Sequence, residues 1–228
     1  MSDLQVNGCT LCDEIRDETA NLFHDVIGNK VGIKSRILFQ DENWIVIPAI
    51  GAFTLGYLLI ISRAHFLSIA ELKNKLYSSF EQLLSKIGII LNKQFGGSYI
   101  AFEHGTITPE YRLSCCVDHM HLHIIPFAKN CWQDIVQKYN FAYSEIAVFS
   151  DIKSYVKTNN VKSYLLFQNV DQRRYVIDSS KNIFPSQFFR QVISKEINTE
   201  LKWDWRHYFY EDNILKTIEM SRNNHWFE

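Results

Sequence analysis

Three histidines stand at alternate positions in the segment His119-Met120-His121-Leu122-His123-Ile124-Ile125-Pro126. In an extended strand alternate side chains share a face, so the three imidazoles line up while Asp118, Met120, Leu122 and Ile124 face the other way. A lone histidine is ordinarily a satisfied core or surface residue. Three in register would each have to be desolvated without a structural reason. One ion cannot bind all three: at about 3.4 Å per residue the outer pair stand roughly 13–14 Å apart, whereas zinc–nitrogen bonds are about 2 Å. At most two neighbours could share a metal. A row of imidazoles suits a polyanion instead, with neutral rings as nucleophile or acceptor and protonated rings as phosphate donors. Phosphoryl-group chemistry is the natural expectation.

A second group of reactive residues is Cys9-Thr10-Leu11-Cys12, two of five cysteines. In a reducing compartment that spacing reads as metal-binding or redox, not as a structural disulfide. A redox pair, half of a zinc site and coincidence all remain open on the residues alone. His65 reads as a polar residue at a helix start, and His104, before Gly105, as a loop histidine or a ligand-binding one. His24, His207 and His225 carry no constellation.

These residues need elements to hold them. Arg36 to Phe39, the turn residues Asp41-Glu42-Asn43 and Trp44 to Pro48 read as a hairpin of β-branched and aromatic residues. Gly56 to Ile61 is the next strand, closed by Ser62-Arg63-Ala64-His65. Ser68 is placed to cap a helix with apolar residues at helical spacing from Leu72 to Leu91, stopping at Phe95-Gly96-Gly97. Ser98 to Gly105 is a further strand, followed by a polar loop, Thr106 to Cys115, and the histidine strand, Val117 to Phe127. The order predicts an α+β domain over residues 9–130, with a mostly antiparallel sheet and helices against one face.

A second section, 131–228, carries helical stretches at Gln133 to Tyr139 and Tyr143 to Thr158. A hairpin signature follows, Ser163 to Gln168 with Arg174 to Ile177, then helical segments after Gln187 and after Arg206. No Gly/Ser/Pro-rich linker divides the halves, so this α/β C-terminal extension is expected to pack on the same domain. Its aromatic and arginine clusters, Phe184 to Arg190 and Trp203 to Arg206, read first as packing. A sharper reading has Gln187, Arg190 or Arg206 reaching the histidine pocket and contacting phosphate.

The chain has 228 residues, 46% hydrophobic, with a formal net charge of -1. That is enough apolar material for a substantial core, and no basic stripe marks stable nucleic-acid binding. The N-terminal residues lack the basic and apolar regions of a secretory signal, which makes the cytoplasm the default expectation. The longest apolar run, Leu55 to Ile61, is far short of the roughly 20 residues that cross a bilayer.

The segment His119 to Ile125 fits His-φ-His-φ-His-φ-φ, where φ is hydrophobic, and resembles the histidine-triad (HIT) family. Leu58 to His65 with Ala70-Glu71-Leu72 resembles its second strand and following helix, and Phe102-Glu103-His104-Gly105 the segment before the triad in a bacterial-type branch. The resemblance covers about residues 9–130 and implies nucleotidyl hydrolases and transferases working through a covalent nucleotidyl-histidine. On that pattern His121 is the nucleophile at an α-phosphorus, its other ring nitrogen oriented by a backbone carbonyl, and His123 hydrogen-bonds a phosphate oxygen. His104 and Cys116 would contact substrate. Cys116 is a departure: the family commonly has Ser or Thr there, and a thiol is the weaker donor, which puts leaving-group stabilisation in doubt.

Some members of the family, and the related galactose-1-phosphate uridylyltransferases, bind zinc through a cysteine pair, a histidine after the second strand and the first triad histidine. Cys9, Cys12, His65 and His119 match those positions, a closed tetrahedral and therefore structural site. No organic cofactor is implied. The partner expected is a nucleotide or nucleotide conjugate, and family members commonly dimerise by joining sheets. Against the enzyme stand two other classes, a nucleotide-binding sensor without turnover and a zinc-dependent hydrolase using triad histidines as ligands.

Overall fold

In strands β2 (Trp44–Pro48), β3 (Leu58–Ser62) and β4 (Tyr99–Thr106) the side chains are buried at every position, not at alternate ones. A sheet made of such strands has no face left for water and must be covered on both. The computed structural model describes residues 6–108, 117–181, 184–198 and 200–228 and shows that arrangement. Five further strands, β1 (Phe39–Gln40), β5 (His121–Pro126), β6 (Ser144–Ile146), β7 (Ser163–Gln168) and β8 (Arg174–Asp178), complete an eight-stranded sheet. Its order is β1-β2-β3-β5-β4-β7-β8-β6. Every pairing is antiparallel. The fold is α+β, and β5 lies inside the sheet, hydrogen-bonded on both edges.

The helices in chain order are α1 (Thr10–Arg16), α2 (Asn29–Val31, after a π turn at His24–Gly28), α3 (Tyr77–Phe95) and α4 (Trp132–Tyr139). They continue with α5 (Asp151–Asn159), α6 (Phe188–Ile197) and α7 (Glu211–Asn223). Leu58, Ile60, Leu122 and Ile124 point to the layer of Phe80, Leu84 and Ile87 from α3 and Ile152 from α5. Leu59, Ile61, Phe102 and Ile125 point to the opposite layer, built from Leu11, Ile135, Phe188, Phe189, Ile193, Ile214 and Ile218. Helices therefore cover both faces, where the sequence reading expected one; the unbroken apolar runs in the strands are the reason.

The β1–β2 hairpin forms as its turn residues predict, with Asp41 Oδ1 accepting from the backbone N–H of Asn43 and Trp44, each at 2.7 Å. Two helical expectations change. The helix placed after Ser68 begins at Tyr77, preceded by two 3-10 turns, Ile69–Glu71 and Asn74–Leu76. Here the backbone is claimed by the sheet: Ile69 N–H donates to Glu103 Oε1 at 2.9 Å and Ala70 N–H to the Tyr164 hydroxyl at 3.1 Å. The helix read over Tyr143 to Thr158 divides into β6 and α5, because β8 offers β6 an open edge and Asp151 Oδ2 accepts from Ala147 and Val148 N–H at 3.1 Å to start a new helix.

The C-terminal hairpin extends the sheet directly, with β4 and β7 in register from Ala101↔Gln168 to Thr106↔Ser163. Trp132 of α4 lies on this part of the sheet, its ring 4.2 Å from Tyr175 and 5.2 Å from Phe167, both stacked. Such pairs each add about 0.5–1.5 kcal/mol beyond their buried area. Among the described residues no helix is long and apolar enough to cross a membrane.

Candidate active site and metal centre

Register fixes the histidines. In β5, His121 stands opposite Ile61, and His123 between Leu59 and Phe102. The strand begins at His121, not at Val117. The partner strand β3 ends at Ser62, and beyond it the chain turns away, so Met120 N–H pairs with the Phe66 carbonyl of the following loop at 2.6 Å. His119 sits in this bend, and its ring leaves the row that an unbroken strand would have made. The triad is thus split between two tasks.

The His119 ring is fully buried. Its Nε2–H donates to the Ser62 carbonyl at 2.7 Å, which leaves Nδ1 with its lone pair, 3.4 Å from the sulfurs of both Cys9 and Cys12. His65 Nδ1 lies 3.3 Å from the Cys12 sulfur. The four donor atoms all fall within 4.8 Å of one another. Bond lengths of about 2.3 Å to sulfur and about 2.0–2.1 Å to nitrogen put neighbouring donors of a tetrahedral zinc site about 3.5 Å apart, so the spacing fits. A carbonyl behind a ligating imidazole is the usual orienting partner. Burial pushes the Cys9 thiol up to about 11 and holds His119 down to about 4, so these two groups are neutral without a metal; a divalent cation would favour the thiolate.

His121 and His123 face a cavity of about 60 Å³ with Arg190, Trp205, Thr10, Leu11 and the buried Glu14–Arg36 pair on its wall. Their ring centroids are 5.0 Å apart. The His121 Nδ1–H donates to the His119 carbonyl at 2.5 Å, so its lone pair is on Nε2. His123 is also held at Nδ1, by a side chain. Arg190 Nη1–H donates to the Tyr57 hydroxyl at 2.9 Å, and the same hydroxyl lies 2.8 Å from His123 Nδ1. With the Tyr57 hydroxyl donating to Nδ1, the neutral His123 ring would carry its N–H at Nε2. Burial holds both histidines below their usual range, opposed at His121 by the His119 carbonyl and reinforced at His123 first by His121 and then by the Arg190 charge, which favours the neutral rings. Adjacent imidazoles in that state offer a nucleophilic nitrogen and a hydrogen-bond donor.

His104 lies behind this pair, its ring 6.4 Å from that of His123 and stacked on Phe189 at 5.7 Å. Its Nε2 accepts from Phe189 N–H in the first turn of α6 at 3.4 Å, and it does not line the cavity. Burial holds it down to about 3. Cys116 lies outside the described residues. Gln187 and Arg206 both engage Asp204, whereas Arg190 reaches the cavity. Tyr57 was not singled out in the sequence. Its place two residues before Leu59, on the face His123 shares, was the available signal. The Glu14–Arg36 pair gave no signal, because nothing in a linear pattern joins residues from α1 and the approach to β1.

A family model described as the scavenger mRNA decapping enzyme C-term binding family matches residues 21–138, slightly more than half of the chain. No curated protein matches. Among solved structures, a HIT family protein from Bacillus anthracis is 19% identical over 68% of this chain and 99% of its own, with a TM-score of 0.41. A HIT family hydrolase from Clostridium thermocellum is 22% identical over 54% of this chain and 94% of its own, with a TM-score of 0.32. A hypothetical histidine triad nucleotide-binding protein from Sulfolobus tokodaii is 17% identical over 45% of this chain, with a TM-score of 0.36; the chain covers 66% of that protein, just under two thirds.

Proposed function

The chain belongs to the histidine-triad superfamily, whose fold is that of nucleotide-binding hydrolases, and on that premise we propose that it cleaves or transfers a nucleoside monophosphate through a covalent intermediate on His121. The observation that carries this reading is that both rings are held at Nδ1, His121 by the His119 carbonyl and His123 by the Tyr57 hydroxyl, which supports opposed tautomers. His121 presents an unprotonated Nε2 because its Nδ1–H is held by the His119 carbonyl, and His123 presents Nε2–H because its Nδ1 accepts from Tyr57.

In the first step His121 Nε2 attacks the α-phosphorus, a nitrogen–phosphorus bond forms, and the bond to the leaving oxygen or nitrogen breaks with its electron pair departing on that atom. The His123 Nε2–H hydrogen-bonds a phosphate oxygen as charge develops there. In the second step water, or another acceptor, attacks the same phosphorus and gives up its proton to solvent, while the nitrogen–phosphorus bond breaks and its electron pair returns to His121 Nε2. Dinucleoside polyphosphates, nucleoside phosphoramidates and nucleotide conjugates share the required α-phosphate.

Cys9, Cys12, His65 and His119 would hold zinc. Four protein donors give a closed structural site, and the ion would supply a fixed anchor for the backbone at His119.

A turnover panel of these three substrate classes tests the proposal. His121→Ala is expected to lower kcat/KM on the order of a thousandfold or more, and His123→Ala about 10²- to 10³-fold. Equal turnover by wild type and His121→Ala would contradict it.

A further inference from the structure

Arg190 is a buried guanidinium, 2% exposed, on helix α6. Its described hydrogen bonds all go to neutral oxygens: Nε to the Trp203 carbonyl at 2.9 Å, Nη1 to the Tyr57 hydroxyl at 2.9 Å and Nη2 to the Gly51 carbonyl at 2.6 Å. Its charge also lies over the Phe53 and Tyr57 rings, at 5.3 and 5.2 Å. No carboxylate among the described residues pairs with it, and the nearest acid on the cavity wall, Glu14, is taken by Arg36 at 2.7 Å. Buried charges are ordinarily paired, because removing a lone charge from water costs heavily. The missing counter-charge points to an anion in the cavity that Arg190 shares with His121 and His123.

The approach of Arg190 is built into the backbone. Gly51 has φ +74°, and a Cβ there would come within 2.7 Å of Arg190 Nη2 and of Trp205 Cβ. Only glycine lets the C-terminal section come this close.

We propose that the C-terminal section completes the histidine pocket: Arg190 is a positioning residue that fixes His123 as an Nε2–H donor through Tyr57, and its unpaired charge receives the substrate's phosphate chain. The logic of the relay is directional. Guanidinium can only donate, so the Tyr57 oxygen accepts from it, and the single hydroxyl proton is left for His123 Nδ1. Burial pushes the Tyr57 hydroxyl up to about 12, so it keeps that proton throughout the neutral range. The guanidinium has five N–H groups and three are used inside the protein, which leaves donors for phosphate oxygens.

The phosphate half of this inference rests on the proposed nucleotide chemistry, and the relay half does not. Long-range ¹H–¹⁵N correlation spectra of the histidine-labelled full chain read the tautomer of His123 without any substrate. Wild type is expected to show a protonated Nε2 and a hydrogen-bonded, unprotonated Nδ1. Tyr57→Phe and Arg190→Lys are each expected to lose that single tautomer. Isothermal titration with inorganic pyrophosphate reads the charge: Arg190→Gln is expected to weaken binding about tenfold or more, with Arg190→Lys retaining part of it. A wild-type His123 protonated at Nδ1, or an unchanged tautomer in folded Tyr57→Phe, would overturn the relay. Equal pyrophosphate affinity in wild type and Arg190→Gln would overturn the phosphate role. Loss of turnover in every substrate assay with the tautomer as expected would count against the nucleotide reading and leave the relay standing.

Discussion

The carbonyl oxygen of His119 accepts the Nδ1–H of His121 at 2.5 Å, while the His119 ring turns its own Nδ1 to the Cys9 and Cys12 sulfurs at 3.4 Å. One residue therefore joins two sites, its side chain serving the cluster and its backbone orienting the neighbouring imidazole. The geometry couples the cluster to the His121 ring through this one residue.

From this coupling follows a metal-removal prediction. Purified protein is expected to contain about one zinc per chain, and Cys12→Ser or strong chelation to remove it, lower Tm, and reduce kcat/KM about 10- to 100-fold by loosening the His119 carbonyl. Elemental analysis, thermal melts and kinetics on the same samples check it; full activity in metal-free protein would break the link.

The ion pair on the cavity wall makes a stability prediction. Arg36 meets Glu14 through Nε and Nη2, each at 2.7 Å, with both side chains buried and a third Arg36 bond to the Pro48 carbonyl. Arg36→Met leaves Glu14 buried without its partner and should cost about 3–5 kcal/mol, most of which the double variant Arg36→Met/Glu14→Leu should recover. Urea unfolding of the two singles and the double reads the coupling; additive losses would show that the pair acts as two independent groups.

Glu103 predicts how stability varies with pH. Burial, opposed by hydrogen bonds from the Tyr164 hydroxyl and Ile69 N–H, raises its carboxyl to about 8. A folded value above the unfolded one means its contribution is fully present below about pH 4.5 and is lost as pH rises through about 8. Between pH 5 and pH 9 wild type should lose stability relative to Glu103→Gln by on the order of a few kcal/mol. Denaturation curves at the two pH values decide it, and parallel behaviour of the two proteins would place the Glu103 titration elsewhere.

Much of this was legible in the residues because the signals were local. The alternation from His119 to His123 placed two imidazoles on one face of β5, and the turn at Asp41-Glu42-Asn43 gave the β1–β2 hairpin. The Cys9/Cys12/His65/His119 set came from resemblance, and the fold brings the four together. What could not be read was tertiary. His119 leaves the strand because β3 ends at Ser62, and Ser144 to Ile146 becomes an edge strand because β8 lies beside it. Tyr57 and Arg190 are 133 positions apart and meet through the packing of α6 against the β2–β3 loop. No periodicity encodes that meeting; the glycine at Gly51 is its one local trace.

The central claim is that His121 carries the nucleotide. Intact-protein mass spectrometry tests it after brief mixing with diadenosine polyphosphate or adenosine phosphoramidate, quenching at high pH because phosphohistidine is acid-labile. The prediction is a single nucleoside-monophosphate adduct on wild type that maps to His121 and is absent from His121→Ala. An adduct that persists in His121→Ala, or rapid turnover by wild type with no adduct at any quench time, would contradict it.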